Sequence, residues 1–303
     1  MELKDLAALF LMAVAISAGV LTTCLSQRAR DAAFFLLILA SAITDRVDVN
    51  FVTRYWYRAA TRGFEFSLVD ILAVSLLVSS LLLPRPGHRR CFWPASLGAM
   101  TIYFLYCCFS VAISEPKLFG LFELSKIVRG MIVFLAAAMF VQSERELRIL
   151  VLALGCAICL QGVLALKHRY VNGVYRVTGS LLDPNSLSMY LCTVAPVFVA
   201  AANSNFPKYL RHFSLLCCGT ASVTILLTIS RAGIPIFALV VVGATLACAS
   251  LRITFRKAAA VFLVCAAVSG VVYKSWDTLM ARYGQASLKD EYLGDQFENR
   301  GSY

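Results

Sequence analysis

The sequence predicts an all-α fold: a polytopic transmembrane helical bundle of about nine or ten spans. Hydrophobic residues make up 60% of the 303 residues, and the mean hydropathy is +0.76, whereas soluble domains are about half apolar. Residues 6–25 contain no charge and are long enough to cross a hydrocarbon core of ~30 Å. The net charge of +11 comes from short basic clusters between apolar runs, a pattern typical of membrane proteins that argues against nucleic-acid binding.

Ten apolar segments account for most of the chain, and the second has only about thirteen strictly apolar residues. They are 6–25, 31–45, 67–83, 93–113, 120–141, 148–166, 186–202, 213–229, 234–250 and 258–273. The polar stretch 45–66 contains Phe51, Tyr55, Trp56 and Tyr57, which predict an interfacial segment with aromatic anchors. We therefore divide the chain into N-terminal spans and the interfacial segment (1–66), middle spans (67–166), a membrane core (167–273) and the beginning of a periplasmic loop (274–303).

The basic loops predict the orientation of these spans in a bacterial inner membrane. Residues 84–90 and 251–257 each carry three Lys or Arg residues, which favours the cytoplasmic side. Alternation then places 168–185, the turn at 230–231 and the tail 274–303 on the periplasmic side. Ten spans put the N-terminus outside, and nine spans put it inside.

The cysteines give no sign of a metal or redox site. Most of the 11 lie inside apolar runs, and the Cys156–Cys159 pair has no second CxxC pair or histidine beside it. We expect no metal and no cofactor.

The first polar feature that stands out is the loop 175–185, which contains Arg176, Gly179, Asp183, Pro184 and Asn185. The Asp-Pro-Asn turn predicts a helix that begins at residue 186 with Asn185 as its cap. The amides of such a helix start can bind an anion, and Arg176 adds positive charge. The alternative is an ordinary capped loop.

Two further features place charge at membrane depth. Ser230 and Arg231 lie between apolar runs with hardly any loop, and an arginine at that depth costs ~3 kcal/mol. Glu123, Lys126 and Arg129 are spaced i, i+3 and i+6 in the fifth segment, so that Glu123 can pair with Lys126. Arg231 and Arg129 either have a functional role or are end residues whose side chains reach the interface.

In order and spacing, these features resemble the O-antigen ligase and polymerase superfamily from about residue 66 to the C-terminus. The resemblance rests on the loop 175–185, the turn 230–233, the arginine-bearing fifth span and the Phe-Ser-Leu-Val-Asp sequence at 66–70. Residues that look like the opening of the family's large periplasmic loop are Arg282, Ser287, Asp290, Arg300 and Tyr303.

The resemblance implies a metal-independent glycan transferase at the periplasmic face. Its donor is a polyprenyl-diphosphate-linked glycan, and its acceptor is a lipid, another glycan or a protein. Arginines offer bidentate contacts to the diphosphate, where negative charge grows as the bond to the sugar breaks. The residues implied in diphosphate binding are Arg129, Arg176, Arg231, Arg282 and Arg300.

The family also carries a histidine late in its periplasmic loop, thought to act as a general base, and further spans after it. The histidines here are His88, His168 and His212, all upstream of that loop. We therefore expect a C-terminally truncated chain whose reading frame continues past Tyr303. The alternative functions are a transporter or flippase of lipid-linked glycan, which commonly shows internal duplication that this sequence lacks, and a non-catalytic membrane scaffold.

Overall fold

The computed structural model describes residues 3–43, 49–55, 61–89, 92–181, 183–248 and 273. The chain is mostly helical in these ranges, as the composition predicts. Of the tenth predicted span and the tail 274–303, only Tyr273 falls among the described residues.

Each of the first nine predicted apolar segments overlaps one α-helix. The helices are α1 (Leu3–Leu25), α2 (Gln27–Ser41), α3 (Leu68–Leu82), α4 (Ala95–Ile113), α5 (Lys117–Phe140), α6 (Glu144–Leu166), α7 (Pro184–Asn203), α8 (Lys208–Thr228) and α9 (Gly233–Cys248). A π-helical turn, Lys167–Val171, continues α6.

Four of the described helices are long and apolar enough to cross a membrane, so the chain is a membrane-associated helical protein. They span Ala95–Ile113, Glu144–Val171, Pro184–Asn203 and Lys208–Thr228. Helix α5 is also long, but it carries the charged residues Glu123, Lys126 and Arg129.

The segment between α2 and α3 adds one short hairpin to the mostly helical chain. Two antiparallel strands, β1 (Val49–Tyr55) and β2 (Thr61–Phe66), form a hairpin in which Val49 pairs with Phe66 and Tyr55 with Thr61. β1 is rich in aromatic and β-branched residues, which favour extended backbone. Of the four aromatic residues that predicted interfacial anchors, Phe51 and Tyr55 belong to β1, and Trp56 and Tyr57 lie outside the described residues.

The chain divides into two compact units, Met1–Leu154 and Gly155–Tyr303. In the first unit, α3 packs against α1, α2 and α5, while α4 and β2 pack against α5. Phe34 and Phe140 stack in its core with ring centroids 4.0 Å apart. Buried around them are Ala33, Leu37, Ala73, Leu76 and Ala136.

In the second unit, α7 packs against α8 and α9. The C-terminal part of α6 lies close to α8, because Gly155 faces Phe213 and Gly162 faces Thr220 with no room for larger side chains. Leu187, Leu191 and Phe198 of α7 are fully buried in this unit. The second unit also holds the loop 175–185 and the turn 230–231.

Candidate functional site

The start of α7 is capped by Asp183, not by Asn185 as the sequence predicted. The Asp183 Oδ2 accepts hydrogen bonds from the amides of Asn185 and Ser186, at 2.8 and 3.0 Å. Pro184 is the first helical residue, where its fixed φ fits the helix and its missing N–H costs nothing. The helix therefore begins at residue 184, two residues before the predicted start.

This cap removes the free amides that were predicted to bind an anion. The amides of Asn185 and Ser186 both bond to the Asp183 carboxylate, and the amide of Leu187 bonds to the Asp183 carbonyl. A carboxylate of this chain thus occupies the place at the helix terminus that a ligand anion would take. Binding of a substrate anion here depends on side chains.

The loop before α7 is fixed to α6 by a fully buried glutamine. The Gln161 Oε1 accepts a hydrogen bond from the Ser180 amide at 2.9 Å, and its Nε2 bonds the Ser180 hydroxyl. Gly179 adopts φ +63°, and a Cβ at that position would lie 2.3 Å from the Gln161 Oε1. The Val177 amide also bonds the Leu227 carbonyl at 3.4 Å, which attaches the loop to the end of α8.

The turn between α8 and α9 is equally constrained. Ile229 ends α8 in the left-handed region at φ 50°. The Ser230 amide donates to the Thr228 hydroxyl, and the Ser230 Oγ accepts from the Gly233 amide, both at 3.3 Å. Gly233 packs so closely on α7 that a Cβ would lie 1.8 Å from the Ser188 Oγ.

Asn185 connects the loop to this turn. Its Oδ1 accepts hydrogen bonds from Arg176 Nη2 at 3.2 Å and from the Ser230 Oγ at 3.3 Å, although Ser230 lies 45 residues away in the sequence. Arg231 follows Ser230 directly and is half-buried. The structure therefore brings Arg176, Asn185 and the 230–231 turn to one place.

Arg129 lies in the first unit, within a network of carboxylates. Its Nε bonds Asp70 Oδ1 at 2.8 Å, its Nη1 bonds Glu65 Oε2 at 3.3 Å, and its Nη2 bonds the Ser67 Oγ at 3.0 Å. The two carboxylates neutralise its positive charge, with Lys126 as a second cation 3.8 Å from Glu65, and so offset the cost of an arginine in α5. Its role toward a diphosphate stays a prediction. The predicted pair of Glu123 with Lys126 is present, at 3.5 Å.

Sequence reasoning missed Gln161 and Thr228 as supports of the site. Gln161 had a detectable signal, because an amide inside an apolar span is costly unless it has a partner. Thr228 had none, since a threonine at a helix end bonds its own backbone in many helices. The predicted residues Arg282 and Arg300 lie outside the described residues.

The assembled site offers guanidinium and hydroxyl donors beside a helix start. Guanidinium groups recognise planar or tetrahedral oxyanions better than any other side chain. Within the described ranges, no cluster of three or more His, Cys, Asp or Glu residues is placed to hold a metal ion. Comparison of the chain with protein-family models, with curated proteins and with solved structures finds no match.

Proposed function

We propose that this chain belongs to a glycan transferase of the bacterial inner membrane, similar to O-antigen ligases and polymerases. Its donor would be a saccharide on a polyprenyl diphosphate, and transfer to a lipid, glycan or protein acceptor would take place at the periplasmic face. The observation that carries the proposal is the meeting of the Arg176 loop and the Arg231 turn at Asn185.

The chemistry needs positive charge at a fixed position near the membrane surface. An acceptor hydroxyl attacks the anomeric carbon and passes its proton to a general base, which in the similar family is thought to be the histidine late in the periplasmic loop. The bond to the diphosphate breaks, and its electron pair passes to a phosphate oxygen. Arginine donors held in place stabilise that oxygen most strongly in the transition state. A polyprenyl tail keeps the diphosphate at the membrane boundary, the depth expected for a turn between two apolar helices.

Rigid support of the two arginine segments also favours this function. The loop 175–185 is hydrogen-bonded to Gln161 and Leu227. The turn 230–233 is held by hydrogen bonds of Ser230 with Thr228 and Gly233, and Gly233 packs on α7. Catalytic donors that do not have to reorganise during the reaction contribute more to the rate.

Substitution of Arg231 in the full-length protein tests the proposal. We expect Arg231→Ala to abolish most glycan transfer in a deletion strain, and Arg231→Lys to recover only part of it, since lysine keeps the charge but loses the bidentate geometry. Transfer is measured by mass spectrometry of the acceptor fraction, at matched abundance in the membrane. Lys208→Ala is the control, because Lys208 is an exposed cation at the opposite end of α8.

Full transfer by Arg231→Ala would refute this role for Arg231. Accumulation of lipid-linked glycan on the inner side of the membrane, with no change in transfer from donor already outside, would favour a flippase instead.

A further inference from the structure

A small cavity in the first unit is surrounded by basic side chains near the end of α3. Arg30, Arg85, His88 and Arg89 line it, with Phe140 on its apolar wall. The free space among them is about 230 Å³, including the open mouth, and its interior accommodates one oxygen-sized group.

Arg30 is buried in this cavity, and no carboxylate of the described residues forms an ion pair with it. The residue is only 5% exposed. Its Nε donates to the Thr23 carbonyl at 3.1 Å and its Nη1 to the Leu83 carbonyl at 3.0 Å, while no described residue accepts from its Nη2. The C-terminal ends of α1 and α3, where these carbonyls lie, offset part of the positive charge.

The nearby carboxylates are shared among other cations. Arg85 bonds Asp31 at 2.6 Å and also bonds Glu146, and Arg145 takes the second oxygen of Asp31 at 2.8 Å. The His88 Nε2 lies 3.2 Å from Glu146. The two carboxylates, Asp31 and Glu146, thus face four arginines, which leaves a surplus of positive charge. The four are Arg30, Arg85, Arg89 and Arg145.

Burial, the charge of Arg85 and a missing hydrogen bond all disfavour the cluster as it stands. Burial lowers the pKa of the Arg30 guanidinium from its ordinary value, and the charge of Arg85 lowers it further, although Asp31 and Glu146 act in the opposite direction. The Arg85 Nε is buried and has no hydrogen-bond partner among the described residues. An anion in the cavity would relieve both the repulsion and the missing hydrogen bond.

We propose that this cavity binds a phosphate group, one of whose oxygens enters between Arg30, Arg85 and Arg89. Arginine pairs with phosphate through strong, charge-assisted hydrogen bonds. Leu81, Leu82 and Leu83, just before the cavity, are exposed apolar residues, which puts the site at the depth of lipid headgroups. An anionic phospholipid or free inorganic phosphate supplies this chemistry, and the inference does not depend on the proposed glycan transfer.

Native mass spectrometry of the full chain in detergent tests the inference. The probes are phosphatidylglycerol, diacylglycerol as the phosphate-free lipid, and inorganic phosphate. We expect one phosphatidylglycerol to be retained in preference to diacylglycerol, and Arg30→Gln to weaken its binding about tenfold through loss of one charge-assisted contact. If inorganic phosphate stabilises the protein against heat and phosphatidylglycerol does not bind, the source is the free ion.

Two further variants make the result decisive. Arg89→Gln removes an exposed cation at the mouth, where misfolding is not expected, and should also weaken binding. Arg28→Gln is the matched control, because Arg28 is an exposed arginine that does not line the cavity. The inference is overturned if no phosphate-bearing probe binds, if Arg30→Gln and Arg89→Gln bind as wild type does, or if Arg28→Gln loses as much.

Discussion

Replacing Gly179 by alanine probes how the loop before α7 is held. Gly179 has φ +63°, and an added Cβ would lie 2.3 Å from the Gln161 Oε1 and 3.3 Å from the Leu187 Cδ2. Real Cβ atoms essentially never approach another atom to 2.3 Å. The loop or the Gln161 side chain therefore has to move in this variant.

The expected cost has two parts. Left-handed backbone costs an L-residue such as alanine about 1–2 kcal/mol. Displacement of Gln161 breaks its 2.9 Å bond with the Ser180 amide, and a buried group left without a partner costs about 1–3 kcal/mol more. Gly173→Ala is the matched control, because Gly173 also has positive φ, at +67°, but an added Cβ meets nothing within 4 Å. It should lose only the backbone part.

The stability of both variants is compared through their apparent melting temperatures in detergent. All scans use one scan rate, because membrane proteins often unfold irreversibly. We expect a clearly larger drop for Gly179→Ala than for Gly173→Ala. Addition of Gln161→Ala removes the clashing oxygen, so the double variant should lose only the backbone part, about 1–2 kcal/mol, beyond Gln161→Ala alone. Equal drops for the two glycine variants would refute the reasoning, because the close contact would then contribute nothing.

Substitutions at Asp183 test the cap of α7, and substitutions at Arg129 and Asp70 test the ion pair between them. Asp183→Ala should cost roughly 1 kcal/mol of stability, because α7 loses its cap. Asp183→Asn keeps a capping oxygen and should cost only a fraction of that, as measured by melting temperature. Equal losses in the two variants would show that the carboxylate acts in another way. Arg129→Leu should cost about 3 kcal/mol, because it removes the cation that pairs with the buried Asp70 carboxylate and leaves Glu65 with Lys126, at 3.8 Å. Adding Asp70→Asn should then cost less than the two single losses together, and strict additivity would contradict the coupling.

The positions of the helices follow from the sequence because their signal is local. An apolar run of membrane length has few alternatives to a helix, since every backbone amide needs a partner inside the segment. Residues 93–113 predict α4 (Ala95–Ile113) almost to the residue. The end of a helix depends on a single capping side chain. Asp183 and Asn185 are both good caps, so the sequence did not show which of them caps α7.

The pairing of distant residues was not predictable in the same way. Arg85 meets Glu146 across 61 residues and Asp31 across 54, and no local pattern indicates which loop arginine finds which carboxylate. The hairpin at 49–66 was missed for a related reason. Its polar and aromatic residues fit an interfacial segment as well as a strand, and only the pairing of Val49 with Phe66 distinguishes the two.

Close approaches in the second unit bear on the proposed site as well as on stability. Gly162 allows α6 to approach α8, and Gly233 allows α9 to approach α7. At both positions an added Cβ would meet a side chain of the neighbouring helix. The helices that carry Gln161, Asn185 and the 228–233 turn are thus fixed by backbone-to-side-chain packing. A loop held by such packing keeps its arginines in place before a substrate arrives, and donors positioned in advance stabilise a developing charge without the cost of reorganisation. If the proposed function is correct, substitutions such as Gly233→Ala, which touch no substrate, should reduce transfer by displacing Ser230 and Arg231.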